Sequence, residues 1–333
     1  MVDHAAVQGR STALSSGAIL PARGALGRLR IRDGTFRHLT RAAAIGVLLL
    51  LGGVMISLVY GSLPAFRAFG LSFLYSSSWN PVTEVFGSLP AVYGTLVTSF
   101  IAMLIAIPLG LLIAFFITEL CPGWLRTPVG IAIELLAGIP SIIYGIWGLF
   151  IFAPFLQKYI QPFLIDTLGK VPLIAPLFSG APYGIGLLTA GLILAIMVLP
   201  FVTSISRDVF DAVPSVLKES AYGIGCTTWE VQRHVVLPYS RVGVVGGVML
   251  ALGRALGETM AVTFVIGNAH RISTSLLAPG TTISATIANE FTEAVGDVYT
   301  SALIALGLIL FVITFIVLAL ARYMLMRMEQ RIG

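Results

Sequence analysis

Three ionisable residues lie inside apolar runs long enough to cross a membrane: Glu134, Arg254 and Glu258. A charge near the bilayer centre costs at least about 2.5–3.5 kcal/mol on insertion scales, so each should face protein or a water-filled path. Arg254 stands twelve residues beyond Val242, about 18 Å along a helix and near the midplane, and Glu258 follows one turn later. On a continuous helix this i, i+4 spacing puts both groups on one face, where they can neutralise each other. Two kinds of chemistry suit such a pair. The planar guanidinium offers a permanently charged fork for an oxyanion, with the carboxylate limiting how tightly the anion is held. Alternatively, the pair fastens two helices as a structural ion pair, and position alone leaves both readings open. Glu134, only about five residues into its run, is expected to snorkel or cap near the membrane face. Pro140, in Gly138-Ile139-Pro140, offers a kink that suits a gate or packing alone.

The rest of the chain must carry these groups through a bilayer. At 57% hydrophobic, 11% charged and a mean hydropathy of +0.96, it is excluded from the soluble globular class, where about a quarter of residues are charged. Six spans are expected, over 42–60, 94–117, 129–155, 185–202, 242–267 and 299–324, each matching a hydrocarbon core of about 30 Å. The chain is therefore read as an all-α integral membrane protein. Six spans put both termini on one side. With the termini inside, cytoplasmic segments carry fifteen Arg and Lys residues and outer segments four, Arg254 alone lying within a span; this fixes the orientation by the positive-inside rule. The net charge of +5 thus follows membrane topology and implies lipid, not nucleic acid, as the partner.

Residues 1–41 hold seven arginines among Ser, Gly and Ala and are expected to form a flexible cytosolic tail, leaving 42–333 as the membrane domain. A cleaved signal peptide fits less well, because the apolar run of 19 residues exceeds the 7–15 or so of a signal core. Cys121 and Cys226 match no zinc spacing and are read as free thiols; no metal site is expected. No glycine-rich phosphate-binding loop occurs, so any nucleotide hydrolysis must come from a partner. The outer stretches 156–184 and 268–298 are long enough to hold structure, and 281–294 partly follows a helical period, as a surface or re-entrant helix would.

Between the fourth and fifth spans lies a polar stretch, 214–238. Pro214 suits the first turn of a short helix and Gly225 its left-handed end. Thr227 and Glu230 form a capping box for a second short helix, expected to stop before Pro238. The spacing Glu219-Ser220-Ala221, three residues, Gly225, nine residues, Val235-x-Leu237-Pro238 resembles the EAA loop of ATP-binding-cassette importer permeases, with Ser220 and Val235 as the departures. In that family the loop docks into a separate ATPase, which assigns coupling to Glu219, Ala221, Gly225, Leu237 and Pro238. The run Gly253-Arg254-Ala255-Leu256-Gly257-Glu258-Thr259-Met260 is similar to the fifth span of PstC-type permeases of phosphate-specific importers. The stretches around Glu134 to Gly145 and Ile287 to Ala294 are similar too.

The resemblance implies a type I importer permease fold in a bacterial cytoplasmic (inner) membrane, forming half of a path for inorganic phosphate through Arg254 and Glu258. It implies as partners a PstA-type permease, a PstB-type ATPase dimer that binds the ATP, and a PstS-type phosphate-binding protein outside. The chain itself would then need no cofactor and catalyse nothing. Rival readings are a permease for another oxyanion such as sulfate or molybdate, the sister PstA-type subunit, an ion-driven transporter, and a membrane enzyme. No inverted-repeat symmetry and no hydrolase motif in the sequence favours the last two.

Overall fold

The computed structural model describes residues 23–329, with side chains over 34–327. It divides into two units, Met1–Ile56 and Ser57–Gly333. In the first, the described residues belong to helix α1 (Arg23–Phe69). Residues 23–41, expected in a flexible tail, are thus helical, while 1–22 lie outside the described residues. Once the apolar run nucleates a helix, each further residue adds a hydrogen bond at little cost, and Arg, Ala and Leu resist this least. Leu48, Leu49 and Leu50 are exposed, as lipid-facing side chains must be, since hydrocarbon solvates them as well as protein does.

The second unit continues through α2 (Leu89–Phe115), α3 (Gly123–Ala137), α4 (Ser141–Trp147), α5 (Leu187–Asp211), α6 (Ser215–Gly223), α7 (Thr228–Val231), α8 (Leu237–Leu256), α9 (Met260–Val265), α10 (Ile283–Glu290) and α11 (Asp297–Glu329). Among the described residues six helical stretches are long and apolar enough to cross a membrane: Gly34–Phe69, Leu89–Leu120, Ser141–Lys170, Leu187–Asp211, Thr228–Leu256 and Asp297–Arg327. The count agrees with the sequence reading. The bounds are shifted most in the third and fifth spans, and each of these contains a break.

The third span begins at Ser141, not near Val129, because the chain leaves helix α3 at Gly138 and restarts after Pro140. Proline disfavours helical geometry in the residue before it and donates no hydrogen bond. The Tyr144 hydroxyl donates to the carbonyl of Leu136 across the gap, at 3.0 Å, replacing a bond the break removes. The fifth span is not one helix over 242–267. Its helix ends at Leu256 and resumes at Met260.

α5 lies at the centre of this unit, with Ala190, Ile193, Leu194, Val198 and Val202 buried. Small residues bring its neighbours close. A Cβ at Gly191 would stand 2.7 Å from Ile101 of α2, one at Gly110 2.8 Å from Val202, and one at Gly247 of α8 2.6 Å from Ile205. In a bilayer, where burial against protein gains little over burial in lipid, this close dispersion contact and the ion pairs below hold the helices together.

The stretch before α11 is buried between helices and is not a surface helix. Gly280, Thr281, Thr282 and the first half of α10, Ile283 to Thr286, are buried. Thr282 caps α10 by accepting from Ala285 N at 3.2 Å. Thr95 of α2 accepts from Ile283 N at 3.0 Å, so the segment is satisfied by side chains and backbone where it dips between helices.

Candidate functional site

The polar stretch between α5 and α8 folds as the spacing requires. α6 starts after Pro214, and its end has Gly225 at φ +91, with Gly225 N donating to Tyr222 O (2.9 Å) and Cys226 N to Ala221 O (3.1 Å). These two bonds satisfy carbonyls that a helix end leaves orphaned, and they need a left-handed residue between them. The capping box is present: Thr227 N donates to Glu230 Oε2 at 2.8 Å, and Thr227 Oγ1 accepts from Glu230 N at 3.4 Å.

The second helix does not stop before Pro238. It passes through a π turn (Gln232–Val236) straight into α8, with Pro238 in the first turn of the new segment. A first-turn proline lacks only a donor that has little use there, and the wider turn accommodates the ring.

The knob made by α6 and α7 has two faces. Ala221, Val231 and Val236 are buried with Phe210, Val213, Ala114 and Val244, and Leu237 packs against them. Lys218 reaches Glu119 at the end of the second span, 2.6 Å away and with side chains only 17% and 13% exposed. The other face is open. Glu219, Gly225 and Pro238 are exposed, beside Val216, Tyr222, Trp229 (60% exposed) and Ile224 (83%). A cluster of large exposed apolar groups around a hinge, in a polar stretch at the start of the fifth span, has the character of a surface that takes a protein partner. Of the five coupling residues named from the sequence, Glu219, Gly225 and Pro238 reach solvent, whereas Ala221 and Leu237 anchor the knob to the bundle. Trp229 and Ile224 carry no mark in the spacing motif, and only their exposure sets them on this face.

At the break in the fifth span, Arg254 and Glu258 no longer share one helical face. Among the described residues no ion pair joins them. The Gly257-Glu258-Thr259 turn separates the two, and Glu258 Oε1 accepts from Ala261 N at 3.3 Å, capping α9. The expected neutralisation by i, i+4 contact is therefore absent. Arg254, partly buried, lays its guanidinium on the ring of Phe201, 4.4 Å from the centroid, and its Nε is buried without a hydrogen-bond partner. Phe201 is fourteen residues into α5 and ten from its end, about 21 Å and 15 Å respectively, which puts the cation midway along that helix. The ring covers one face of the guanidinium. Among the described residues the donors at its edge meet no acceptor.

Glu134 is paired, not snorkelling: Arg207 of α5 binds it at 2.6 Å and Asp208 at 3.0 Å. Arg126 also bonds Asp211, so two ion pairs join α3 to α5. Pro140 stands immediately before α4. Gly145 of α4 meets α9, where a Cβ would lie 2.7 Å from Phe264. The helical segments that follow the two breaks thus pack on each other.

A second polar centre lies near the start of α11. Glu290 accepts from Trp79 Nε1 (2.7 Å), the Tyr299 hydroxyl (2.8 Å) and His270 Nε2 (2.7 Å), and Trp79 stacks on His270. Burial alone would push the Glu290 carboxyl up, but bonds from His270, Tyr299 and Trp79 hold it below the usual carboxylate range. No sequence pattern signals this cluster, because its members come from four separate stretches.

The family model for binding-protein-dependent transport system inner membrane components matches residues 106–330. The chain is 71% identical over 306 residues, 92% of its length and 94% of the relative's, to a phosphate transport system permease protein PstC of Mesorhizobium japonicum. It is 60% identical to the PstC of Pasteurella multocida over 90% of this chain and 93% of that one. A bacterial ABC transporter involved in the import of the acidic polysaccharide alginate shares the fold, with a TM-score of 0.58 at 16% identity over 91% of this chain and 98% of that one. With that match covering most of the chain, including the knob and both breaks, the protein belongs to the family of binding-protein-dependent transport system inner membrane components.

Proposed function

We propose that this chain is a permease subunit of an ATP-driven phosphate importer, forming half of the path and coupling it to a separate ATPase through the knob. The observation that carries the substrate is the 71% identity to a phosphate transport system permease over nearly the whole length of both chains. The geometry of Arg254 supports it. Phosphate carries about −1 to −2 charges near neutral pH, and stripping its water in a low-dielectric pore without a fixed cation would be prohibitive. A guanidinium with one face on Phe201 and free edge donors presents the bidentate fork that a tetrahedral oxyanion takes. With Glu258 turned to cap α9, the ring and not a carboxylate moderates the cation.

The partners follow from this reading: a PstA-type permease completing the path, a PstB-type ATPase dimer seated on Glu219, Trp229 and Ile224, and a PstS-type binding protein delivering phosphate from outside. The distribution of Arg and Lys supports a cytosolic side for both termini and the knob. ATP is bound and split by the partner. The test is to reconstitute the chain with these partners in proteoliposomes and follow labelled phosphate. Uptake should need ATP and the binding protein and should resist competition by sulfate or molybdate; transport by the lone chain without ATP would overturn the reading.

A further inference from the structure

The loop that Glu290 anchors through His270 continues into the wall of a cavity of about 390 Å³. The lining includes Arg271 and the hydroxyl side chains of Ser179, Tyr183, Ser273 and Ser275, and it contains no carboxylate. Arg271 forms no ion pair among the described residues, whereas its neighbour His270 is bound to Glu290. A permanent cation amid hydroxyls, with no acid to neutralise it, selects for an anion. The space admits an oxyanion together with water, so the anion would sit here still hydrated.

The position gives that chemistry a place in a sequence of steps. The cavity wall is tied to the first turn of α5, where Leu187 N donates to Ala278 O (3.3 Å) and Leu188 N to Leu276 O (2.8 Å). Arg254 rests on Phe201 of the same helix, about 21 Å farther along. Two guanidinium groups without carboxylate partners among the described residues therefore mark two levels of one helix, one open to water and one partly buried.

We infer that the Arg271 cavity is an outer oxyanion station, where a hydrated tetrahedral anion is held by Arg271 and the surrounding hydroxyls before it loses water on the way to Arg254. The inference rests on the phosphate reading above. Holding the anion first at a wet, weak site divides its dehydration into two smaller steps, and solvent access keeps the site from trapping it.

The test uses the full complex without the delivery protein, carrying Cys121→Ser, Cys226→Ser and Ala181→Cys, the last on the cavity wall. The rate of maleimide labelling of the introduced thiol is measured against inorganic phosphate, with chloride keeping ionic strength constant. Phosphate should slow labelling saturably while chloride does not, and Arg271→Gln should raise the half-protecting concentration roughly tenfold, as loss of one charge-assisted hydrogen bond implies. Absence of protection, or protection unchanged in Arg271→Gln, would overturn the station. ATP-dependent uptake by the same preparation, after the delivery protein is added back, is scored separately: its absence counts against the importer reading, and labelling still decides the station.

Discussion

Gly225 makes the knob's geometry quantitatively testable. Its φ is +91, and nothing lies within 4 Å of the position a Cβ would take. A new side chain therefore meets no clash, and the cost is that of the backbone. An L-residue with a Cβ pays roughly 1–2 kcal/mol in the left-handed region, a β-branched one more, and asparagine least. Gly225→Ala should cost about 1 kcal/mol, Gly225→Val about 2 kcal/mol and Gly225→Asn a few tenths. If the chain relaxes to a negative φ instead, the bonds from Gly225 N to Tyr222 O and from Cys226 N to Ala221 O are lost, and α7 swings away from α6. At about 1.4 kcal/mol per tenfold, the valine variant should bind the ATPase subunit roughly tenfold to thirtyfold more weakly and lose uptake in proportion, while inserting normally in the membrane. Binding of purified ATPase to the permease in nanodiscs, across the three variants, reads this directly. Wild-type affinity in Gly225→Val would refute the knob as the coupling surface, and equal loss in Asn and Val variants would refute the backbone argument.

The Lys218–Glu119 pair, largely buried, should lose roughly 2–3 kcal/mol on Glu119→Gln, between an exposed pair and a fully buried one; thermal unfolding in detergent should show most of that loss recovered in Glu119→Leu with Lys218→Met. Glu290 has a folded-state value below its ordinary 4.5, so its contribution is complete above about that pH and disappears as pH falls through the folded value. Unfolding temperatures measured from pH 7 down to 3 should therefore drop more steeply for the wild type than for Glu290→Gln, which starts lower. Gly94→Ala should prevent stable folding, because the new Cβ would stand 1.8 Å from the backbone oxygen of Thr281; membrane abundance measures it.

Much of the fold was legible because lipid imposes simple rules: six apolar stretches of the right length, and a capping box and a glycine whose geometry depends only on near neighbours. What sequence reading missed depends on distant partners. Lys218 and Glu119 are ninety-nine residues apart, and Arg207 and Glu134 seventy-three; nothing local foretells either pair. The break at Pro140 has a chemical marker, whereas that at Gly257 lies in an unbroken helical pattern, and assuming continuity there produced the expected Arg254–Glu258 contact. Residues 23–41 read as a tail because their polarity, not their helix propensity, was weighed. Phe201 was invisible as a site residue, since a phenylalanine in an apolar span says nothing about the cation it will meet.

The central claim is that phosphate passes by Arg254 while hydrolysis is driven elsewhere. It is tested most directly by measuring phosphate uptake and ATP hydrolysis together in proteoliposomes containing the full complex with Arg254→Ala. Loss of a partly buried cation that has no ion-pair partner among the described residues should lower uptake at least tenfold, the equivalent of one charge-assisted bond, while binding-protein-stimulated ATP hydrolysis continues; Arg254→Lys, keeping charge but not the fork, should fall between. A well-expressed Arg254→Ala complex that accumulates phosphate at the wild-type rate would contradict the account.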